Sequence, residues 1–386
     1  MRICTIRSFT VVLLAAVFSG CVTVDDAAPP ASQEVMTKPF FELQEIYAGP
    51  RFVNIVVTTD GTILAFCGQK SLAKVRRSED GGATWQPAID IGNIEGQLGS
   101  AVVDENSGDV ILFHANNIWR SQDDGKTWKH QSSENEAIKP NSSIKIGEQW
   151  SIPGAGNTHG SGAGITLAFG EHKGRLLAPA RVNPRGNDPA VWFEHYNTSI
   201  YSDDGGYTWQ TSAPFPEFYT GEGTLAQLSD GRVYYNSRSH NPQTTMRRTA
   251  WSYDGGQTWQ DWEESKELKD SGGAVREKSG VKNYGCNAGL IRLPIEGSDI
   301  LLFSQPTTPD RTGMTVFVSF DGGKSWPVKR MVYEGPSAYS SLAAGRKGTA
   351  TEGFIYLEFE GGPGGRSSAI QAAKFNLQWL TEQYEK

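Results

Sequence analysis

The chain has 386 residues, with 36 Lys and Arg against 43 Asp and Glu and a formal net charge of −7. The acidic balance argues against a nucleic-acid binder, which needs clustered positive charge. A hydrophobic content of 38% and 11% aromatics excludes a disordered chain, and one long apolar run, at the N-terminus, excludes a multi-span membrane protein. The 44 glycines beside 11 tryptophans point to many turns between strands bearing large flat side chains, hence an all-β architecture.

At the N-terminus, Arg2 and Arg7 flank the start of an apolar run, Phe9 to Phe18, and small Ser19 and Gly20 lead into Cys21. This predicts a secretory signal over residues 1–20, too short for a comfortable membrane span. The end of it, Val17-Phe18-Ser19-Gly20-Cys21, resembles a bacterial lipobox. That resemblance implies cleavage before Cys21, acylation of its thiol, and an exported chain held at the bacterial outer membrane by lipid alone. Residues 21–39 read as a polar, Pro/Ala-rich tether, leaving 40–386 as the folded unit.

The pattern S-x-D-x-G-x-[TS]-W then occurs five times, at Ser78–Trp85, Ser121–Trp128, Ser202–Trp209, Ser252–Trp259 and Ser319–Trp326. Strand-like runs precede the boxes, such as Ala73-Lys74-Val75-Arg76 and Met314-Thr315-Val316-Phe317-Val318. In each box the aspartate accepts backbone N–H groups of a tight turn, glycine supplies a positive φ, and tryptophan is placed between neighbouring sheets. Asp80, Asp123, Asp204, Asp254 and Asp321 are therefore read as structural. Their spacings of 43, 81, 50 and 67 residues fit one period per blade of a β-propeller, lengthened by insertions. Glu263 to Asp270 reads as a solvated short helix or loop.

Cys4 leaves with the signal, so Cys67 and Cys286 remain as two buried thiols rather than a disulfide framework. The six histidines lack metal-ligand spacing. Gly160-Ser161-Gly162-Ala163-Gly164 opens no helix, and no G-x-S-x-G elbow exists. No metal or organic cofactor is implied.

These boxes are Asp-boxes, and the chain resembles the sialidase (neuraminidase) family. The resemblance implies a six-bladed β-propeller around a central pocket, and terminal α-linked sialic acid on glycans as the substrate. The family binds the sugar carboxylate with three arginines. Gly49-Pro50-Arg51-Phe52-Val53-Asn54, Asn236-Ser237-Arg238-Ser239-His240 and Asp310-Arg311 resemble its three arginine segments. Gly335-Pro336-Ser337-Ala338-Tyr339-Ser340 resembles its tyrosine motif, which implies Tyr339 as nucleophile. A phenol suits a carbon that already bears a carboxylate, because a carboxylate nucleophile would be repelled there. The same resemblance implies Glu222 as the base for Tyr339 and Glu360 as the acid orienting Arg51.

One departure stands out. The family carries an acid/base aspartate between the opening strands and the first box. Here that stretch, Cys67-Gly68-Gln69-Lys70-Ser71-Leu72-Ala73-Lys74, is short and contains no Asp or Glu. Asp188, Glu194, His195 and His159, in the insertion between the second and third boxes, are the substitutes considered. Two alternatives stay open: a sialic-acid-binding or glycan-binding lipoprotein without turnover, and a hydrolase of a related ulosonic acid with a relocated acid.

Overall fold

The computed structural model describes residues 38–49, 51–114, 117–131, 145–146, 149–150, 157–159, 162–182, 193–241, 244–270, 272–275 and 282–384. The signal segment, Cys21, most of the tether and Asp188 lie outside them.

Six antiparallel sheets are arranged as blades. Blade 1 contains Val53–Val57, Ile63–Cys67, Gln69–Ser78 and the first part of Ile89–Val103. The same long strand crosses over and opens blade 2, followed by Val110–His114, Asn117–Ser121 and Lys129–His130. Blade 3 is built on Leu176–Val182, with Asn157–His159 and Ile165–Thr166 along one edge and Tyr196–Ser202 and Gln210–Thr211 beyond the other. Blade 4 contains Thr220–Gln227, Val233–Ser239, Met246–Ser252 and Gln260–Lys269. Blade 5 contains Gly289–Arg292, Leu301–Pro306, Thr312–Ser319 and the first part of Val328–Ala344. The remainder of that strand opens blade 6, with Phe354–Gly361 and Ala369–Asn376.

The outer strand of blade 6 comes from the other end of the chain. Phe41–Ala48 pairs antiparallel with Ala369–Asn376, from Phe41 opposite Phe375 to Ala48 opposite Ala369. The ring is thus closed by hydrogen bonds rather than left with two open edges. Inner strands of successive blades touch one another around the axis, with Leu176–Val182 of blade 3 meeting Thr220–Gln227 of blade 4. The protein is an all-β six-bladed propeller.

The boxes behave as turns. Ser78 Oγ donates to Asp80 Oδ1 at 2.8 Å, the Gly82 amide donates to Ser78 Oγ at 2.9 Å, and the Thr84 amide donates to Asp80 Oδ1 at 2.9 Å. The amides of Thr127, Thr208, Thr258 and Ser325 make the same 2.9 Å bond to their own aspartates. Slight burial opposes ionisation of Asp80, but the Thr84 hydroxyl and amide outweigh it and bring its pKa down to about 2. The tryptophans join blades: Trp128 stands edge-on to Phe66 of blade 1 at 5.7 Å, and Trp209 to Phe113 of blade 2 at 5.0 Å.

One expectation is corrected. The stretch 263–269, expected with Asp270 to be a short helix or loop, is strand, since Gln260–Lys269 is the outer strand of blade 4 and Asp270 follows its end. Its exposed acidic and basic side chains belong to a strand paired on one side only. Arg248 on the neighbouring strand pairs with Glu264, and charged edges of this kind discourage sheet-to-sheet association. Cys67 and Cys286 are both buried free thiols.

Glu358 of blade 6 is fully buried and faces Tyr47, Cys67 and the backbone of Asn54 and Phe66. Burial drives its carboxyl well above the usual carboxylate range, against the two backbone amides. A raised folded-state pKa contributes stability that is fully present below the unfolded value of about 4.3 and is lost as pH rises through the folded value. Glu358→Gln removes that titration. The variant is expected to gain on the wild type as pH rises, by at least about 1 kcal/mol at pH 8. Parallel denaturation curves across pH, with no widening gap, contradict the assignment.

Candidate active site

The catalytic candidates gather at one end of the inner strands. Arg51 lies two residues before the first strand of blade 1, Glu222 lies near the start of blade 4's first strand, and Tyr339 lies near the start of blade 6's. Second strands end at the same face and deliver Arg238 and Glu360, while Arg311 sits in the turn between Leu301–Pro306 and Thr312–Ser319. Residues up to 309 positions apart in sequence thereby become neighbours.

Glu360 Oε2 accepts from Arg51 Nε at 3.1 Å and Nη2 at 2.9 Å, and its Oε1 accepts from the Phe52 amide at 2.8 Å. Phe52 reaches that position with a φ of +59°, a conformation a bulky residue adopts only under constraint. The payoff is twofold: its amide aims at Glu360, and its ring stands edge-on to Tyr339 at 5.2 Å. The Arg51 guanidinium lies over the Tyr339 ring at 5.3 Å.

At the centre, the Tyr339 hydroxyl donates to Glu222 Oε1 at 2.6 Å. Arg238 Nη1 donates to Glu222 Oε2 at 2.6 Å and approaches the Tyr339 hydroxyl at 3.3 Å. Two further groups face the same carboxylate: Arg181 Nη1 at 3.7 Å from Oε1, and His240 Nε2 at 3.9 Å from Oε2. Burial opposes a charge on Glu222, but Arg238, His240 and Arg181 outweigh it and hold the carboxyl well below its usual range. Burial lowers His240 to about 3, helped by Arg238, so this ring is neutral near pH 7. Burial raises Tyr339 above an ordinary phenol and the Glu222 charge adds to the rise, while Arg238 and Arg311 oppose it.

Arg311 is also held at a positive φ, +58°. Its Nη2 donates to the Gly285 carbonyl at 2.6 Å, and its own carbonyl accepts from the Ser337 amide at 2.8 Å, two residues before Tyr339. Gly285 is required here: a Cβ would lie 2.5 Å from Asp270 Oδ1 and 2.7 Å from Arg238 Cγ. Asp270 in turn accepts from the Ser239 amide and Arg247 Nη1, both at 2.6 Å, which fixes the strand end carrying Arg238.

The insertion candidates are placed differently. His195 has no accessible surface, and its ring centroid is 5.7 Å from that of His240. Glu194 is half-buried beside it. His159 is described through its backbone alone, opposite Ala180. The stretch that lacks an acid is a tight connection: the Gly68 amide donates to the Arg51 carbonyl at 2.9 Å, and its carbonyl accepts from the Leu98 amide at 3.0 Å. Arg181, His240, Phe52 and Gly285 were not singled out from sequence as site residues. No local motif marks Arg181, whose relation to Glu222 arises only when blades 3 and 4 pack.

A cavity of about 410 Å³ occupies the opposite ends of the inner strands, among Ile55, Val103, Leu225, Leu290 and Leu342. Arg346 stands at that mouth, donating to the Val57 carbonyl and to Glu105. It does not include the arginine and tyrosine cluster.

A family model described as BNR repeat-like domain matches residues 98–351. A sialidase of Micromonospora viridifaciens is 29% identical, covering 91% of this chain and 55% of its own. A sialidase of Bacteroides fragilis strain YCH46 is 26% identical, covering 72% of this chain and 54% of its own. The chain spans about half the length of these curated relatives. Among solved structures, the Hadza microbial sialidase Hz136 superposes with a TM-score of 0.62 at 23% identity, over 86% of this chain and 66% of that one. This last likeness concerns the fold.

Proposed function

Because the chain belongs to the BNR-repeat family of sialidase-type propellers, we propose that it is an exo-α-sialidase-type glycosidase acting on terminal sialic acid of glycoconjugates. The observation that carries this reading is the 2.6 Å hydrogen bond from the Tyr339 hydroxyl to a buried glutamate that also binds Arg238. Tyrosine is a weak nucleophile until a base takes its proton, and Glu222 is in place to do so. Arg51, Arg238 and Arg311 come from three blades and supply cations for one small carboxylate, with Glu360 fixing the direction of Arg51.

In this reading the Tyr339 oxygen forms a bond to the anomeric carbon as its proton passes to Glu222, and the glycosidic C–O bond breaks. Water then displaces the tyrosine: Glu222 returns its proton to the phenol oxygen, and the proton that water gives up passes to the group, or the solvent, that balances the departing oxygen. The departing glycan oxygen needs a proton of its own. The Cys67–Lys74 connection offers no carboxyl for it, which also favours the second reading, a binding protein without turnover.

An aryl sialoside and sialyllactose separate the cases, because a phenolate leaves without acid help worth ~10²–10⁴-fold. Cleavage of both substrates is expected if Glu194, His159, Asp188 or His195 supplies the proton. Cleavage of the aryl substrate alone is expected if none does. Binding of sialic acid without turnover of either substrate assigns the chain to the second reading.

A further inference from the structure

Glu222 is enclosed by groups from several blades. Blade 4 contributes Arg238 and His240, with His195 behind the latter, and blade 3 contributes Arg181. Tyr339 arrives from blade 6, with Arg51 of blade 1 over its ring; Arg311 acts on the phenol and Cys286 lies close enough to act on Arg238. Of the two guanidiniums on the carboxylate, Arg238 has a divided duty. Under the proposed function it must also bind the substrate's carboxylate, which would neutralise it while Glu222 still needs a counter-charge. Arg181 has no such second task in that scheme. It is buried, it comes from Leu176–Val182 of blade 3, and it faces Oε1, the oxygen that accepts the Tyr339 hydroxyl. The two blades are tied at this level by Asn197 Nδ2 donating to Ser237 Oγ at 2.8 Å, next to Arg238.

We infer that Arg181 is a positioning residue of the Tyr339–Glu222 pair, holding the charged Oε1 edge of Glu222 against the phenol when Arg238 is taken by the substrate. The inference rests on the reading of Glu222 as the base. A cation 3.7 Å away, with both side chains buried, stabilises the carboxylate form strongly. Arg181→Gln removes that charge, Arg181→Met does so without a new polar group, and Arg181→Lys retains it.

The test is an infrared titration of Glu222, its protonated carboxyl band identified by its loss in Glu222→Gln, from pH 7 down to the onset of unfolding. In Arg181→Gln or Arg181→Met the band is expected at a pH at least about one unit above the wild type, with Arg181→Lys following the wild type. The acid limb of kcat/KM on an aryl sialoside is expected to move up with it. Coincident titrations in wild type and neutral variants, or no carboxyl band in them at any pH where they are folded, overturn the inference. Failure of all three variants to fold assigns Arg181 to the core and overturns it equally. A wild type that turns over nothing refutes the proposed reaction but leaves the infrared titration able to decide the role of Arg181.

Discussion

Tyr339→Phe is expected to leave the propeller folded and to reduce turnover of an aryl sialoside by at least ~10³-fold, as loss of a nucleophile does in other covalent mechanisms. Phenylalanine keeps the edge-on contact with Phe52 at 5.2 Å and the ring beneath the Arg51 guanidinium at 5.3 Å. What disappears is the oxygen that donates to Glu222 Oε1 and lies 3.3 Å from Arg238 Nη1. The loss should therefore fall on kcat, with sialic acid affinity nearly retained. Turnover by this variant near the wild-type rate, with an intact melting transition, removes Tyr339 from the chemistry. The aryl substrate matters in this comparison because its leaving group does not depend on the unidentified acid.

The second large effect is on binding. Arg311→Ala is expected to weaken sialic acid binding by more than about 2 kcal/mol, roughly 30-fold, because a charge-assisted pair in a partly dry site is lost. Arg311 is buried and its guanidinium is already steered by the Gly285 carbonyl, so little ordering remains to be done when an anion arrives. The substitution leaves the left-handed backbone at this position unrelieved, since alanine is no better suited to φ +58° than arginine. Calorimetric titration of the folded variant with free sialic acid reads the change. Unaltered affinity excludes Arg311 from the site.

Sequence reading and structure agree where the relevant chemistry is local. Each Asp-box closes on itself within eight residues, so Ser78, Asp80 and Thr84 declare their turn without knowledge of the rest of the chain. The pairing of Arg51 with Glu360 spans 309 positions and was accessible only through motif resemblance. Arg181 lay beyond both routes. It sits in an ordinary buried strand, and its 3.7 Å approach to Glu222 is a product of blade packing. The outer strand Gln260–Lys269 was misread for a related reason. Its residues are mostly exposed, which blurs the alternation that marks a half-buried strand, and charge then reads as a solvated segment. The strained backbones of Phe52 and Arg311 are likewise invisible in composition, since neither is a residue type that favours a positive φ.

The role of Tyr339 as nucleophile is tested most directly by covalent labelling with a 2,3-difluorosialic acid, whose fluoride leaves without a proton donor and whose second fluorine slows hydrolysis of the product. Attack by the Tyr339 oxygen on the anomeric carbon expels fluoride and sends the phenolic proton to Glu222, leaving a sugar–tyrosine bond that survives digestion. One fluorosialyl adduct per chain is expected, located by peptide mass spectrometry on Tyr339 and absent from Tyr339→Phe. An adduct on another residue, or none from protein that binds sialic acid, contradicts it.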